Sequence, residues 1–145
     1  MILNDIITGI TEAIGEEFGE NFNIYTENVK QGLKTPCFSV VCVSPFSRRF
    51  LGKRYFKENK FCIHYYAYSA DVRSECLDVF DRLANCLRQI TVTGDRINGS
   101  EIYAEGPEDG VLHVFVNYNL FMREADNDIE TMNSYTYRNE VKNNG

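Results

Sequence analysis

The sequence predicts an α+β domain: a mainly antiparallel sheet, a long projecting β-hairpin and two helices packed on one face. Three observations predict it. Residues 2–18 and 72–90 place apolar residues at three- and four-residue spacings, the period of an amphipathic helix. Residues 37–68 hold two arms rich in β-branched and aromatic residues around a basic turn, which reads as a hairpin. Residues 111–122 alternate apolar and polar, the period of a half-buried strand.

The first helix presents Ile2, Leu3, Ile6, Ile7, Ile10, Ala13, Ile14 and Phe18 on one side. Gly9 and Gly15 weaken it, so tertiary packing must hold it. Gly19 suits a C-terminal cap. Residues 22–26 read as a short strand, residues 27–35 as a polar connection, and Pro36 marks entry into the hairpin. Gly52 can take the positive φ of a tight turn. Each arm of about fourteen residues would run roughly 46 Å, against a body about 38 Å across, so the tip should project. Strand twist and a break at Pro45 would shorten it.

Ser69 or Asp71 can cap the second helix. Val72, Cys76, Val79, Phe80, Leu83, Leu87 and Ile90 line its apolar face, with Arg73, Glu75, Asp78, Asp81, Arg82 and Arg88 toward solvent. Asn98-Gly99 signals a hairpin turn between strands at 91–97 and 100–105, and residues 106–110 a second turn. In the last strand Leu112, Val114, Val116, Tyr118, Leu120 and Met122 take one face. His113, Phe115, Asn117, Asn119 and Phe121 take the other. The core domain is therefore expected over residues 1–123, with a polar C-terminal tail or arm over 124–145.

Composition narrows function. Fifteen Lys and Arg against twenty-one Asp and Glu give a net charge of −6, which argues against generic nucleic-acid binding. The N-terminus has no basic n-region, and no apolar run approaches a membrane span. An odd number of cysteines, five, suggests reduced thiols in a cytosol. Cys37, Cys42, Cys76 and Cys86 read as small core residues.

No catalytic, metal or cofactor site is expected. Cys62 and His64 share one strand face, but no CxxC or HxxxH spacing accompanies them, and His113 is the only other histidine. Interface or core packing is the plainer reading. Residues 126–137 imitate a calcium loop, yet Thr131 stands where glycine is needed and Tyr137 where glutamate is needed. Glu105, Glu108 and Asp109 read as solvated turn residues.

Two surfaces remain. Two helices cannot cover both sheet faces, so Cys62, His64, Tyr66, Tyr68, Phe115 and Phe121 should form a semi-apolar patch of the kind that marks an interface. The alternative is a sheet curled over itself. The hairpin tip carries Arg48, Arg49, Phe50, Leu51, Lys53, Arg54, Tyr55, Phe56 and Lys57, with Lys60 below it. Its charges either blunt exposed strands or dock an arm on an acidic surface or DNA phosphate. Strand alternation can set the cations on one side and the aromatics on the other.

Several stretches together carry a resemblance. They are residues 4–7 (Asn-Asp-Ile-Ile), 24–27 (Ile-Tyr-Thr-Glu), 29–38 (Val-Lys-Gln-Gly-Leu-Lys-Thr-Pro-Cys-Phe), 50–56 (Phe-Leu-Gly-Lys-Arg-Tyr-Phe) and 109–121 (Asp-Gly-Val-Leu-His-Val-Phe-Val-Asn-Tyr-Asn-Leu-Phe). In order and combination they resemble the tail terminator family of phages, prophages and phage-tail-like particles of Gram-positive bacteria, often with contractile tails. The resemblance spans about residues 2–123. It implies a non-enzymatic structural protein without cofactor, assembled in the bacterial cytoplasm into a virion or a headless, bacteriocin-like particle. It implies a homo-hexameric ring that caps the tail tube, stops tube polymerisation and joins tube and sheath to the neck, with DNA only passing through the lumen. On that reading, residues 48–51 and 53–57 would contact the tube or lumen, and Tyr66, Tyr68, Phe115 and Phe121 would form the subunit interface. The rival readings are another head–tail joining or neck protein, or a small metal- or thiol-dependent enzyme using Cys62, His64 and His113.

Overall fold

A computed structural model describes residues 3–26 and 34–123. Helix α1 (Leu3–Phe18) buries Ile6, Ile10, Ile14 and Phe18, the stripe its period dictates. It ends at Gly19, whose φ of 84° closes a bond from its N–H to the Gly15 carbonyl. A Cβ on Gly9 would lie 2.8 Å from the Thr91 carbonyl oxygen. Gly9 is therefore the contact point with the strand beneath, and not simply a weak helical residue.

Strand β1 (Asn23–Tyr25) pairs parallel to β2 (Cys37–Arg49), which pairs antiparallel to β3 (Arg54–Tyr66). Pro45 does not break β2: it stays in register opposite Asn59, and the irregularity falls between Cys42 and Ser44. The tip closes with Gly52 at φ 54° and a bond from the Arg54 N–H to the Leu51 carbonyl. The first four residues of β2 are buried and its last seven are exposed, so the distal half of the hairpin outruns the core.

Helix α2 (Val72–Leu87) starts at Asp71, whose carboxylate accepts from the Ser74 N–H. Ile90, expected on its apolar face, instead lies in a ribbon of β4 (Gln89–Val92) and β5 (Asp95–Asn98). Glu75, expected toward solvent, is half-buried and accepts from the Tyr65 hydroxyl and the Tyr68 and Ser69 amides. Arg82 reaches across to α1, donating to the Glu17 carboxylate at 3.0 Å and lying 4.2 Å over the Phe18 ring.

Asn98-Gly99 is not a hairpin turn. The ribbon turns at Thr93-Gly94, where φ is 47° and 88°. Gly99 donates to the Arg88 carbonyl, and a Cβ there would meet the Leu87 carbonyl oxygen at 2.6 Å. Strand β6 (Ser100–Glu108) returns along β7 (Val111–Asn117) through Asp109-Gly110, while Gly106-Pro107 forms an irregularity inside β6. The expected strand over 111–122 is split: β7 pairs with the inner part of β3, and β8 (Leu120–Arg123) with its outer part.

The main sheet thus runs β1-β2-β3-β7-β6, with β8 continuing beside β3 toward the tip. Both helices pack on the face carrying Phe38, Val40, Phe61, Ile63, Tyr65, Leu112, Val114 and Val116, in one core cluster. The α+β class, the mainly antiparallel sheet and the alternation over 112–122 are as expected.

Candidate functional site

The two surfaces singled out from sequence have distinct geometry. At the tip, Arg48, Phe56 and Phe121 stand side by side across three strands. The Phe56 and Phe121 rings lie 4.9 Å apart, Phe50 joins Phe121 at 5.3 Å, and the Arg48 guanidinium sits 5.6 Å over Phe56. On the other face Arg49 lies 5.4 Å over Tyr55 and donates to its hydroxyl and to the Gly52 carbonyl. Cations and aromatics are therefore not segregated by strand face. Arg48 and Arg49 each cover a ring, because the β2–β3 register sets Arg48 opposite Phe56 and Arg49 opposite Tyr55, on opposite faces. Phe50 and Leu51 remain exposed at 45% and 64%. Lys53 and Arg54 are exposed, while Lys57 is half-buried on the helix side of the sheet, opposite Ser47 and Leu120.

The helix-free face does not gather its aromatics into one patch. Phe115 stacks on Tyr103 at 5.0 Å, with the Lys60 ammonium near both rings. Tyr66 stands half-buried beside His64. Phe121 belongs to the tip cluster, and Tyr68 lies past the end of β3, 66% exposed. None of these four is in the core beneath the helices.

Between them lies the Cys62, His64 and His113 group. Strand alternation puts Cys62 and His64 on one face, and the β3–β7 register sets His113 directly opposite His64. The Cys62 sulfur is 3.7 Å from His64 Nε2, and the two imidazoles meet edge to face at 4.7 Å. Burial pushes the Cys62 thiol up to about 11, with the Glu105 charge adding to it. Burial, then the neighbouring His113, lowers His64. Both groups are thus neutral near pH 7, the opposite of the thiolate–imidazolium pair a cysteine nucleophile needs. The three residues could be named together from sequence, but the register that sets His113 opposite His64 could not be read there.

A cleft of about 400 Å³ between α1, the end of α2 and β4 is lined by Glu12, Glu16, Glu17, Asn85, Cys86 and Gln89. Burial pushes the Cys86 thiol up to about 12, which keeps it protonated and a poor nucleophile. All five cysteines are free. Among the described residues no helix is long and apolar enough to cross a membrane.

A small α+β subunit with a protruding arm and a sheet face that neither helix covers has two surfaces of the kind that serve contacts. A family model described as phage tail terminator protein matches residues 5–130, and the chain belongs to that family. The family is one of structural phage tail proteins, which makes this chain a component of a tail. A search of curated proteins gave no match. The match extends past Arg123, where the sequence resemblance stopped.

Proposed function

We propose that the chain is the ring-forming tail terminator of its particle. Six copies cap the last ring of the tail tube, stop its polymerisation and link tube, and sheath where there is one, to the neck. The observation that carries this reading is the hairpin. Its outer half leaves the core, is braced by β8, and presents Arg48, Arg49, Lys53 and Arg54 around the exposed Phe50 and Leu51. A solvated arm has no use for exposed phenylalanine and leucine, and such patches serve contacts. Basic charge on a chain of net charge −6 directs that segment toward an acidic tube rim or, in passing, lumen DNA.

The helix-free face supplies the contact between subunits, with Tyr66, Tyr68, Phe115 and Phe121 as its aromatic residues. A standard interface buries about 800 Å² per partner, more than these side chains offer, so neighbouring segments join in. Residues 124–145 lie outside the described residues. Their polar sequence suits an arm onto a neighbouring subunit or the sheath.

The test is to reverse Arg49 and Arg54 to Glu together, and separately to make Phe50→Ala with Leu51→Ala. Tails assembled with each variant are then scored by electron microscopy. Tubes of uncontrolled length are expected from both. Folded variants that still cap tails at normal length would remove the hairpin from the mechanism.

A further inference from the structure

Cys62, His64 and His113 have a geometry that neither the hairpin nor the ring reading uses. We propose that these three residues form a site for a borderline-soft divalent cation, zinc foremost, on the helix-free face of the sheet.

The spacing is the first argument. In a tetrahedral site, metal bonds of about 2.3 Å to sulfur and about 2.0–2.1 Å to nitrogen set sulfur about 3.6 Å from nitrogen, and two nitrogens about 3.3 Å apart. The Cys62 sulfur and His64 Nε2 already stand 3.7 Å apart. The three ligand atoms all lie within 4.8 Å of one another, so closing around a metal takes about 1.5 Å of movement at most. A small turn of the half-exposed His113 ring covers that.

The second argument is the placement of the ligand atoms. The Cys62 sulfur has a backbone hydrogen bond at Val114 and otherwise faces the His64 ring. The thiol and imidazole make one contact at sulfur distance, and His64 Nδ1 is buried without a hydrogen-bond partner. A cation on Nε2 does not reach Nδ1; with the ring proton on Nδ1, the neutral imidazole keeps its Nε2 lone pair on the Cys62 side, open to a metal.

Ligand chemistry then selects the cation. One thiolate and two imidazoles favour zinc over calcium or magnesium, which take oxygen. Binding displaces the thiol proton: the S–H bond breaks, the sulfur lone pair goes to the metal, and one proton leaves to solvent. Three protein ligands leave a fourth position for water, or for Glu105, which pairs with His113 across β6 and β7. A metal held there would pin β3 to β7. The site needs only one chain, so it stands or falls independently of ring assembly.

The experiment uses the full chain, stripped of metal by chelator under a non-thiol reductant and titrated with cobalt(II) as a spectroscopic stand-in for zinc. One equivalent should give visible bands of tetrahedral intensity and a near-ultraviolet sulfur-to-metal band, both bleached by zinc. His113→Gln should weaken binding by more than about 100-fold, and Cys62→Ser should abolish the near-ultraviolet band. Cys86→Ser, away from this face, should leave both signals intact. Zinc should raise the melting temperature of the wild type and not of His113→Gln, a half-exposed position where folding is not at risk. Failure to saturate at one equivalent, or a near-ultraviolet band that survives in Cys62→Ser, would overturn the site.

Discussion

The Tyr118 hydroxyl donates to the Leu87 carbonyl oxygen at 2.6 Å, joining the break in the last strand to the final turn of α2. That carbonyl is among the helix-end groups that intrahelical bonding leaves open. Burial raises the Tyr118 hydroxyl far above its ordinary value, which keeps it a donor. Asn59 completes the tie: its side-chain amide donates to the Tyr118 carbonyl, and its own carbonyl accepts the Tyr118 N–H.

Tyr118→Phe should therefore cost about 1–3 kcal/mol, because the buried Leu87 carbonyl loses its partner while packing is retained. Urea denaturation of both proteins measures it. A change below about 0.5 kcal/mol would mean that water replaces the hydroxyl at no cost.

The two glycines inside α1 predict opposite signs for the same substitution. Gly15→Ala has open space around the added Cβ and should stabilise by about 0.5–1 kcal/mol. Gly9→Ala gains the same helix propensity but drives Cβ into the Thr91 carbonyl at 2.8 Å and Val92 at 2.9 Å. Overpacking of about 1–3 kcal/mol should outweigh the gain. Thermal melts of the two variants decide the matter, and equal shifts would contradict the packing described.

Glu75 carries a pH dependence. Burial alone would raise its carboxyl, but hydrogen bonds from Ser69, Tyr65 and Tyr68 outweigh burial and hold it below the usual glutamate value. A carboxylate depressed on folding adds stability that is fully present above its unfolded value. That stability is lost as pH falls through the folded value. Glu75→Gln should cost about 1 kcal/mol at pH 7, after allowance for partial solvent exposure. The gap between wild type and variant should shrink below about pH 4. A gap that widened in acid would reverse the assignment.

Truncation after Arg123 bears on the proposed arm. Residues beyond it lack a core-forming pattern, so the shortened chain should melt within a few degrees of the full one while failing in tail assembly. A large drop in melting temperature of the isolated protein would place those residues in the folding unit.

The sequence by itself determined which side chains face inward. Ile6, Ile10 and Ile14 at helical period, and Leu112 to Met122 at strand period, are buried as their spacing requires, since local geometry turns each residue by a set angle. Family resemblance was legible too, because it rests on the order of short stretches. Periodicity says which face a residue takes and nothing of its neighbour across the sheet. Only tertiary structure decided that Tyr118 interrupts the last strand, since its partners Asn59 and Leu87 lie 59 and 31 residues away. It also moved the turn from Asn98-Gly99 to Thr93-Gly94, where pairing β4 with β5 left Gly99 packed beneath the Leu87 carbonyl. The same kind of long-range register brought His113 against Cys62 and His64. A one-residue slip is forbidden by the pattern, since it would turn Leu112, Val114 and Val116 out of the core. A two-residue slip keeps every face and parts His113 from His64, and local sequence does not forbid that.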